Sequence, residues 1–372
     1  MKSSTQIFFA ALFSLLLSTF ALGQTPTPKP TPAIEEETNV VKVKSSLIVI
    51  PVSVTDSAGN PVIGLKASDF TVIEEGRNQT IDSIGDADKV PLDIALLFDV
   101  SASTDAMFKF EQETAAKFLR DVMRPIDTAT IYTIGMEPIQ IQPRDNAEKS
   151  IASLMAIPPT KGATAFFDTV RQSANYLRTS SPEGRRRVIL VISDGEDNYS
   201  EGIQRAGRFA ERSVVDNTKD PEYKALSGRI AFAQQTAKVS ERTKVIKSLQ
   251  DADSVFFSIN PAGSSYLLNS ISVFGQENMQ KFATETGGTA YLPKFLPIDT
   301  KDQLQNTSNL RKNAATLDGI FKQLMNELQA QYLVQYYSDS EFPTGKYVKL
   351  KVSLQNSANR KLRAREGYFV KN

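Results

Sequence analysis

The chain has no cysteine and no histidine among its 372 residues. The first absence excludes disulfides, thiolate nucleophiles and soft-metal sites. The second removes Ser-His-Asp and Cys-His catalysis, the usual general base and the usual transition-metal ligand. Any metal held by this chain must be held by oxygen. A dominant charge is missing too. Lys+Arg 43 against Asp+Glu 42 leaves +1, which argues against a broad surface for nucleic acid or anionic lipid. Beyond the N-terminal stretch, no segment is long and apolar enough to cross a membrane. What the chain does have is core-forming material. Its 41% hydrophobic residues and its length allow two or three domains.

Residues Met1 to Gly23 read as a secretory signal, with Lys2 in the n-region, Ile7 to Phe20 as apolar core and Ala21-Leu22-Gly23 as cleavage site. Retention as a membrane anchor is the alternative, against which the core is short for a span. A lipid anchor is excluded by the missing cysteine. Residues 24–38 form a Pro/Thr-rich spacer that ends in the acidic run Glu35-Glu36-Glu37, extended and solvated. Residues 39–88 turn to β character. Leu47 to Val54, Asp69 to Ile73 and Thr80 to Ile84 are strand-like and separated by turns such as Asp56-Ser57-Ala58-Gly59-Asn60-Pro61.

Residues 89–330 alternate strand and helix patterns, which predicts a doubly wound, mostly parallel sheet with helices on both faces. Leu92 to Phe98 and Val188 to Ile192 lack alternation, as strands buried on both faces do. Helical stripes run through Phe110, Ala115, Phe118 and Val122, through Phe167, Val170, Ala174 and Leu177, and through Leu317, Ile320, Leu324 and Leu328. Arg185-Arg186-Arg187 read as a solvated strand entrance, with anion binding as the alternative. About 204–238 reads as a helical insertion beside the ligand edge of the sheet. In residues 331–372, Tyr332 to Tyr337, Tyr347 to Leu354 and Leu362 to Val370 return to strands. Three strands make little core alone. The α/β domain is therefore expected to be inserted into a small β-sandwich built by both ends of the chain.

The chemistry collects where the buried strands end. Asp99, Ser101 and Ser103 follow the first such strand, Asp194 follows the second in Ser193-Asp194-Gly195-Glu196-Asp197-Asn198, and Thr164 lies in the loop Gly162-Ala163-Thr164-Ala165. In open α/β sheets ligands bind at the carboxyl ends of the strands. Carboxylates and hydroxyls are hard donors suited to Mg²⁺ or Ca²⁺. Turn and helix N-cap residues fit the first stretch as well. Glu196 and Asp197 read as a solvated loop, with a supporting role behind the metal or a further calcium site as alternatives. Asp105 and Asp168 read as helix-start residues.

Asp-x-Ser-x-Ser, the downstream Thr164 and the later Ser-Asp-Gly resemble a von Willebrand factor type A (VWA) domain with a metal-ion-dependent adhesion site, over about Pro91 to Gln329. The flanks resemble the bacterial VWFA-related domain family, abundant in Acidobacteria. The matching stretches are Val54-Thr55-Asp56, Gly59-Asn60-Pro61-Val62, Asp69-Phe70-Thr71-Val72, Tyr332-Leu333-Val334, Lys349-Leu350-Lys351-Val352 and Arg365-Glu366-Gly367-Tyr368-Phe369. Tyr199 to Lys238 departs from that family's shorter connection. The resemblance implies that Ser101 and Ser103 bind a divalent cation directly, Mg²⁺ ahead of Mn²⁺ or Ca²⁺. Asp99 and Asp194 would act directly or through water, and Thr164 would join when a ligand is engaged. It further implies a secreted or periplasmic, non-catalytic adhesion or scaffolding protein, whose partner supplies an Asp or Glu to the ion. A metal-independent envelope component is the alternative. A phosphoryl-transfer enzyme is the rival from another class, but such enzymes typically carry a second Asp where this chain has Ser101.

Overall fold

The computed structural model describes residues 46–86, 89–101, 105–160, 162–216, 223–261, 270–298 and 300–371. The expected signal segment (1–23), the spacer (24–38) and Ser103 lie outside the described residues. The chain opens with β1 (Leu47–Asp56), β2 (Phe70–Glu74), β3 (Arg77–Gln79) and β4 (Ile81–Asp86). It enters the α/β region through β5 (Leu92–Asp99), α1 (Asp105–Val122), β6 (Thr128–Ile134), β7 (Ile139–Asp145), α2 (Ala147–Met155), α3 (Phe166–Ser180) and β8 (Arg186–Ile192). There follow α4 (Glu201–Asp216), α5 (Tyr223–Asp251), β9 (Ser254–Ile259), α6 (Ser270–Thr286), β10 (Ala290–Tyr291) and α7 (Gln303–Gln329). The chain closes with β11 (Gln331–Tyr337), β12 (Tyr347–Leu354), β13 (Arg360–Ala364) and β14 (Gly367–Phe369).

The central sheet has the order β10-β9-β8-β5-β6-β7. Its ladders are parallel except for the antiparallel edge pair β6–β7. Successive side chains of a strand point to opposite faces, and β5 shows why its run lacks alternation. Leu92, Ile94, Leu96 and Phe98 join one core with α1, α2 and α7, while Ala95 and Leu97 join a second with α3, α5 and α6. Every residue of β5 is buried, Asp93 included. Asp93 is neutralised by Arg144 at 2.7 Å.

The terminal strands build the sandwich. One sheet runs β13-β1-β11-β4, where strands from the two ends alternate, and the other runs β14-β12-β2-β3, where a pair from each end meets at β12–β2. Val52 pairs with Tyr332 and Val72 with Val352. The two sheets enclose Ile50, Val52, Val72, Val334, Val348 and Tyr368. The stretch expected as one last strand is two, β13 and β14, one in each sheet. Between them Arg365 turns inward, 7% exposed, and donates to Val49 O at 2.8 Å.

The three arginines correct both readings of them. Arg185 donates to Leu92 O (2.7 Å), Arg186 to Leu328 O (2.7 Å) and Arg187 to Ala252 O (3.0 Å). Leu328 and Ala252 lie at the C-terminal ends of α7 and α5, where carbonyls lack helical partners and cations are favoured. Arg186 is buried. These side chains are internal fasteners. The expected insertion is helical: α4 packs against α5, which runs unbroken to Asp251. No helix among the described residues is long and apolar enough to cross a membrane.

Candidate metal centre

Register places the ends of β5 and β8 side by side. Phe98 pairs with Ile192 in their ladder, so Asp99 and Ser193 leave the sheet as neighbours. Ser193 Oγ donates to Asp99 Oδ2 at 2.6 Å and accepts from the Gly195 N–H at 3.0 Å. Asp99 Oδ1 accepts from the Ser101 N–H at 2.9 Å and from Ser101 Oγ at 2.6 Å. Both Asp99 oxygens are therefore held by the protein's own donors. A hydroxyl that gives its proton to Asp99 keeps its lone pairs for a cation.

Thr164 is gripped in the same way by the loop after β8. Its N–H donates to Asn198 Oδ1 (2.8 Å), and its carbonyl accepts from Asn198 N–H (3.1 Å) and Tyr199 N–H (3.0 Å). Its Oγ donates to Glu196 O at 2.8 Å. Asp194 Oδ1 accepts from the Glu196 N–H at 2.9 Å, so Glu196 ties Thr164 to Asp194 through its backbone. From beneath, α6 presses on this loop. A Cβ at Gly275 would lie 2.7 Å from Gly195 C and 2.9 Å from Asp194 O, so no side chain fits there without moving the loop. At the carboxyl edge of the sheet, Asp99 and Ser101 thus form one hydrogen-bonded group with Ser193, and Thr164 and Asp194 form another through Glu196.

Electrostatically the place is short of positive charge. Burial raises the Asp99 carboxyl above its ordinary range against the pull of the Ser101 and Ser193 bonds. Burial also pushes Asp194 up to about 6, with Asp99 and Glu196 adding repulsion. Glu111 on α1 feels the same field. Burial, then Asp99 and Asp194, push it up to about 8, beside a narrow apolar gap lined by Ile192, Ile259, Phe295 and Phe321. Among the described residues no Lys or Arg forms an ion pair with Asp99 or Asp194. Nor do the described residues gather three or more acidic side chains as metal ligands. A cation here would rely on hydroxyls as much as on carboxylates, and this all-oxygen donor set fits a hard ion such as Mg²⁺.

Several neighbours were not legible beforehand. Asp197, expected in a solvated loop, is 6% exposed. It accepts from the Phe167 N–H (2.6 Å) at the start of α3 and from the Ser200 N–H (3.0 Å) and Ser200 Oγ (2.5 Å). Burial raises its pKa above the ordinary carboxylate range, which the Ser200 bonds partly offset. Glu196 accepts from Ser272 Oγ of α6. Asp168 lies in the first turn of α3 and also accepts from the Glu201 N–H that opens α4, at 2.7 Å. Ser193 and Asn198 stood inside the quoted motif, yet their roles depend on which loop folds against which.

A doubly wound sheet with an antiparallel edge, its two central strands ending in Asp-x-Ser and Ser-Asp-Gly, makes this a VWA-like fold. No protein-family model matches the chain, and no curated protein matches it in sequence. Among solved structures it is similar to the PilB minor pilin from Streptococcus sanguinis, at 14% identity over 64% of this chain and 62% of that one, with a TM-score of 0.41. It is similar to proximal thread matrix protein 1 from the mussel byssus, solved with a zinc-occupied MIDAS motif, at 12% identity over 69% and 50%, with a TM-score of 0.40. It is also similar to BatB from Bacteroides thetaiotaomicron, at 12% identity over 62% and 99%, with a TM-score of 0.33. These likenesses are loose, and the fold is read from this chain's own strand order and register.

Proposed function

We propose that the protein is an exported, non-catalytic VWA-like adhesion or scaffolding module that binds an Asp or Glu of a protein partner through a divalent cation, Mg²⁺ first. The observation that carries this reading is the arrangement of the hydroxyls. Ser101 and Thr164 each spend their proton on a fixed acceptor of the same sheet edge, which keeps oxygen lone pairs for an ion. Ser103 completes the proposed set of Asp99, Ser101, Ser103, Thr164 and Asp194. Partial neutralisation leaves such an ion electrophilic, and Mg²⁺ tends to retain waters, one of which a partner carboxylate can replace. With no histidine or cysteine, the chain offers neither an imidazole base nor a thiol nucleophile. Export rests on the N-terminal leader, and the flanking motifs favour a bacterial envelope protein.

Isothermal calorimetry with Mg²⁺ and Mn²⁺ tests the site. Wild type should bind, and Asp99→Ala and Asp194→Ala should each abolish the heat while leaving the far-UV spectrum intact. Equal binding by wild type and both variants would refute the metal reading. Pull-down from envelope extract with Mg²⁺ or with EDTA then tests the partner. Recovery that ignores the chelator would leave the chain as a metal-independent structural component.

A further inference from the structure

The central sheet is open at β7, and this edge differs from every other one. β7 lies at the end of the strand order, so among the described residues no strand lies beside one rim of its N–H and C=O groups. Exposed edges are normally guarded by charge, proline, irregular pairing or shortness. The lower half of β7 is guarded. It carries Pro143, it lies beside irregular pairing near Ala129 and Ile131, and Arg144 is committed to Asp93. In the upper half a second register shift leaves Ile141 without a rung of its own, between Gln140 and Gln142, but no charge or proline stands guard. Ile139 is 48% exposed and Ile141 41%, with Met136 just before them 54% exposed. Among the described residues, β3, β4, β10, β13 and β14, the other edge strands, carry no exposed large apolar side chain.

This unguarded stretch is continuous with the candidate metal centre. Ile139 pairs with Thr133, which pairs with Phe98, so Ile139 lies one rung below Asp99. Across the top of the sheet, Ala165 N–H donates to Gly135 O at 2.6 Å, and a Cβ at Gly162 would touch Met136 Cγ at 3.8 Å. The Thr164 loop and the start of β7 therefore form one surface. We propose that the partner whose carboxylate reaches the cation also adds a short extended strand to β7 at Ile139–Gln142, laying apolar side chains over Ile139 and Ile141. This rests on the metal-bridged reading above. Four residues of edge are far fewer than the 20–30 residues a side of a stable interface, so the edge is half of a bipartite site and the ion is the other half.

The sheet sets the spacing. β7 stands two strands from β5, and an added strand would stand a third spacing out, about 15 Å from the end of β5. At roughly 3.4 Å per extended residue, the partner needs about five residues between its carboxylate and its strand. The strand gives affinity through backbone hydrogen bonds, and alternate side chains select for apolar residues.

A fluorescein-labelled peptide serves as probe, with one Asp, a Gly/Ser spacer of about five residues and a Val-Thr-Val-Thr strand. Fluorescence anisotropy should show binding in Mg²⁺ that is lost in EDTA and with Asn in place of Asp. Ile139→Lys and Ile141→Lys, or proline in the peptide strand, should each weaken it at least about tenfold, about 1.4 kcal/mol. Both protein variants should retain Mg²⁺ heats and melting temperature, since these side chains face solvent. Amide exchange at Ile139–Gln142 should slow with the peptide bound. If the lysine and proline changes leave Mg²⁺-dependent binding intact, the strand proposal falls and the metal reading stands. If binding needs the strand but ignores Mg²⁺ and the Asp, the metal reading falls and the bipartite proposal falls with it. Absence of binding in Mg²⁺ overturns the proposal. So does a dimer of the free protein that Ile141→Lys converts to monomer, because a second copy would then be the occupant.

Discussion

Glu111 offers a measurement that needs no partner. Its carboxyl is pushed from 4.5 up to about 8, first by burial and then by Asp99 and Asp194. Between those values the folded chain holds a proton that the unfolded chain releases. The folded state binds more protons there, so stability falls as pH rises through the window. At face value the span is worth on the order of 4 kcal/mol. The side chain is partly exposed, and solvent screening brings this down to about 2 kcal/mol. Glu111→Gln preserves shape and removes the charge. In EDTA at about pH 8 the variant should therefore be more stable than wild type by about 2 kcal/mol, a rise in Tm of several degrees for a chain of this size. At about pH 4 the two should coincide, because there the carboxyl is largely protonated in both states. Asp99 and Asp194 remain in both proteins, so the readout is the difference between the two pH curves obtained by urea or thermal unfolding. With Mg²⁺ present, the cation should offset the repulsion from Asp99 and Asp194, and the gap should narrow. Parallel curves at every pH, or a Gln variant less stable at pH 8, would refute the assigned cause.

Two further perturbations address placement and architecture. Gly275→Ala puts a methyl group 2.7 Å from Gly195 C. This should cost about 1–3 kcal/mol in unfolding experiments through overpacking and weaken Mg²⁺ binding in calorimetry as the Asp194 loop shifts. Unchanged Mg²⁺ affinity would show that α6 does not set that loop. Deleting residues 331–372 removes β11 and β13 from either side of β1, and β12 from beside β2. Circular dichroism and limited proteolysis should then report loss of the sandwich, and a fully protected β1–β4 would contradict the shared-domain architecture.

Runs buried on both faces were readable because burial there leaves no choice of residue. Leu92–Phe98 and Val188–Ile192 are central strands, and the polar residues that end them sit at the carboxyl edge. The union of the two chain ends followed from too few apolar strands at either end to form a core alone. By contrast, β7 and α2 were not anticipated. Ile139-Gln140-Ile141-Gln142 alternates, but Pro143 interrupts it, and a nine-residue helix carries a weak periodic signal. The three arginines looked solvated because their partners, the carbonyls of Leu92, Leu328 and Ala252, are remote in sequence. The same holds for Asp197, whose partner Phe167 lies thirty residues earlier. Glu111 occupies a helical position that reads as a solvated charge, and only the packing of α1 on the sheet brings it into the field of Asp99. Local chemistry was visible in the residues, whereas the distant side-chain partners that fix it were not.

The interleaved sandwich has a mechanical consequence. The chain passes between it and the α/β domain twice, from β4 to β5 and from α7 to β11, while β1 and β14, the first and last strands of the described residues, both belong to the sandwich. Tension applied between the segments that precede β1 and follow β14 is therefore carried across the sandwich ladders. There β1 is clamped by β11 on one flank and β13 on the other. That path is not separate from the α/β domain, because Gln250 of α5 donates to Gly367 O and accepts from the Phe369 N–H of β14. A pull across the sandwich therefore also loads α5, whose Val245, Ile246 and Leu249 belong to the core on one face of the central sheet.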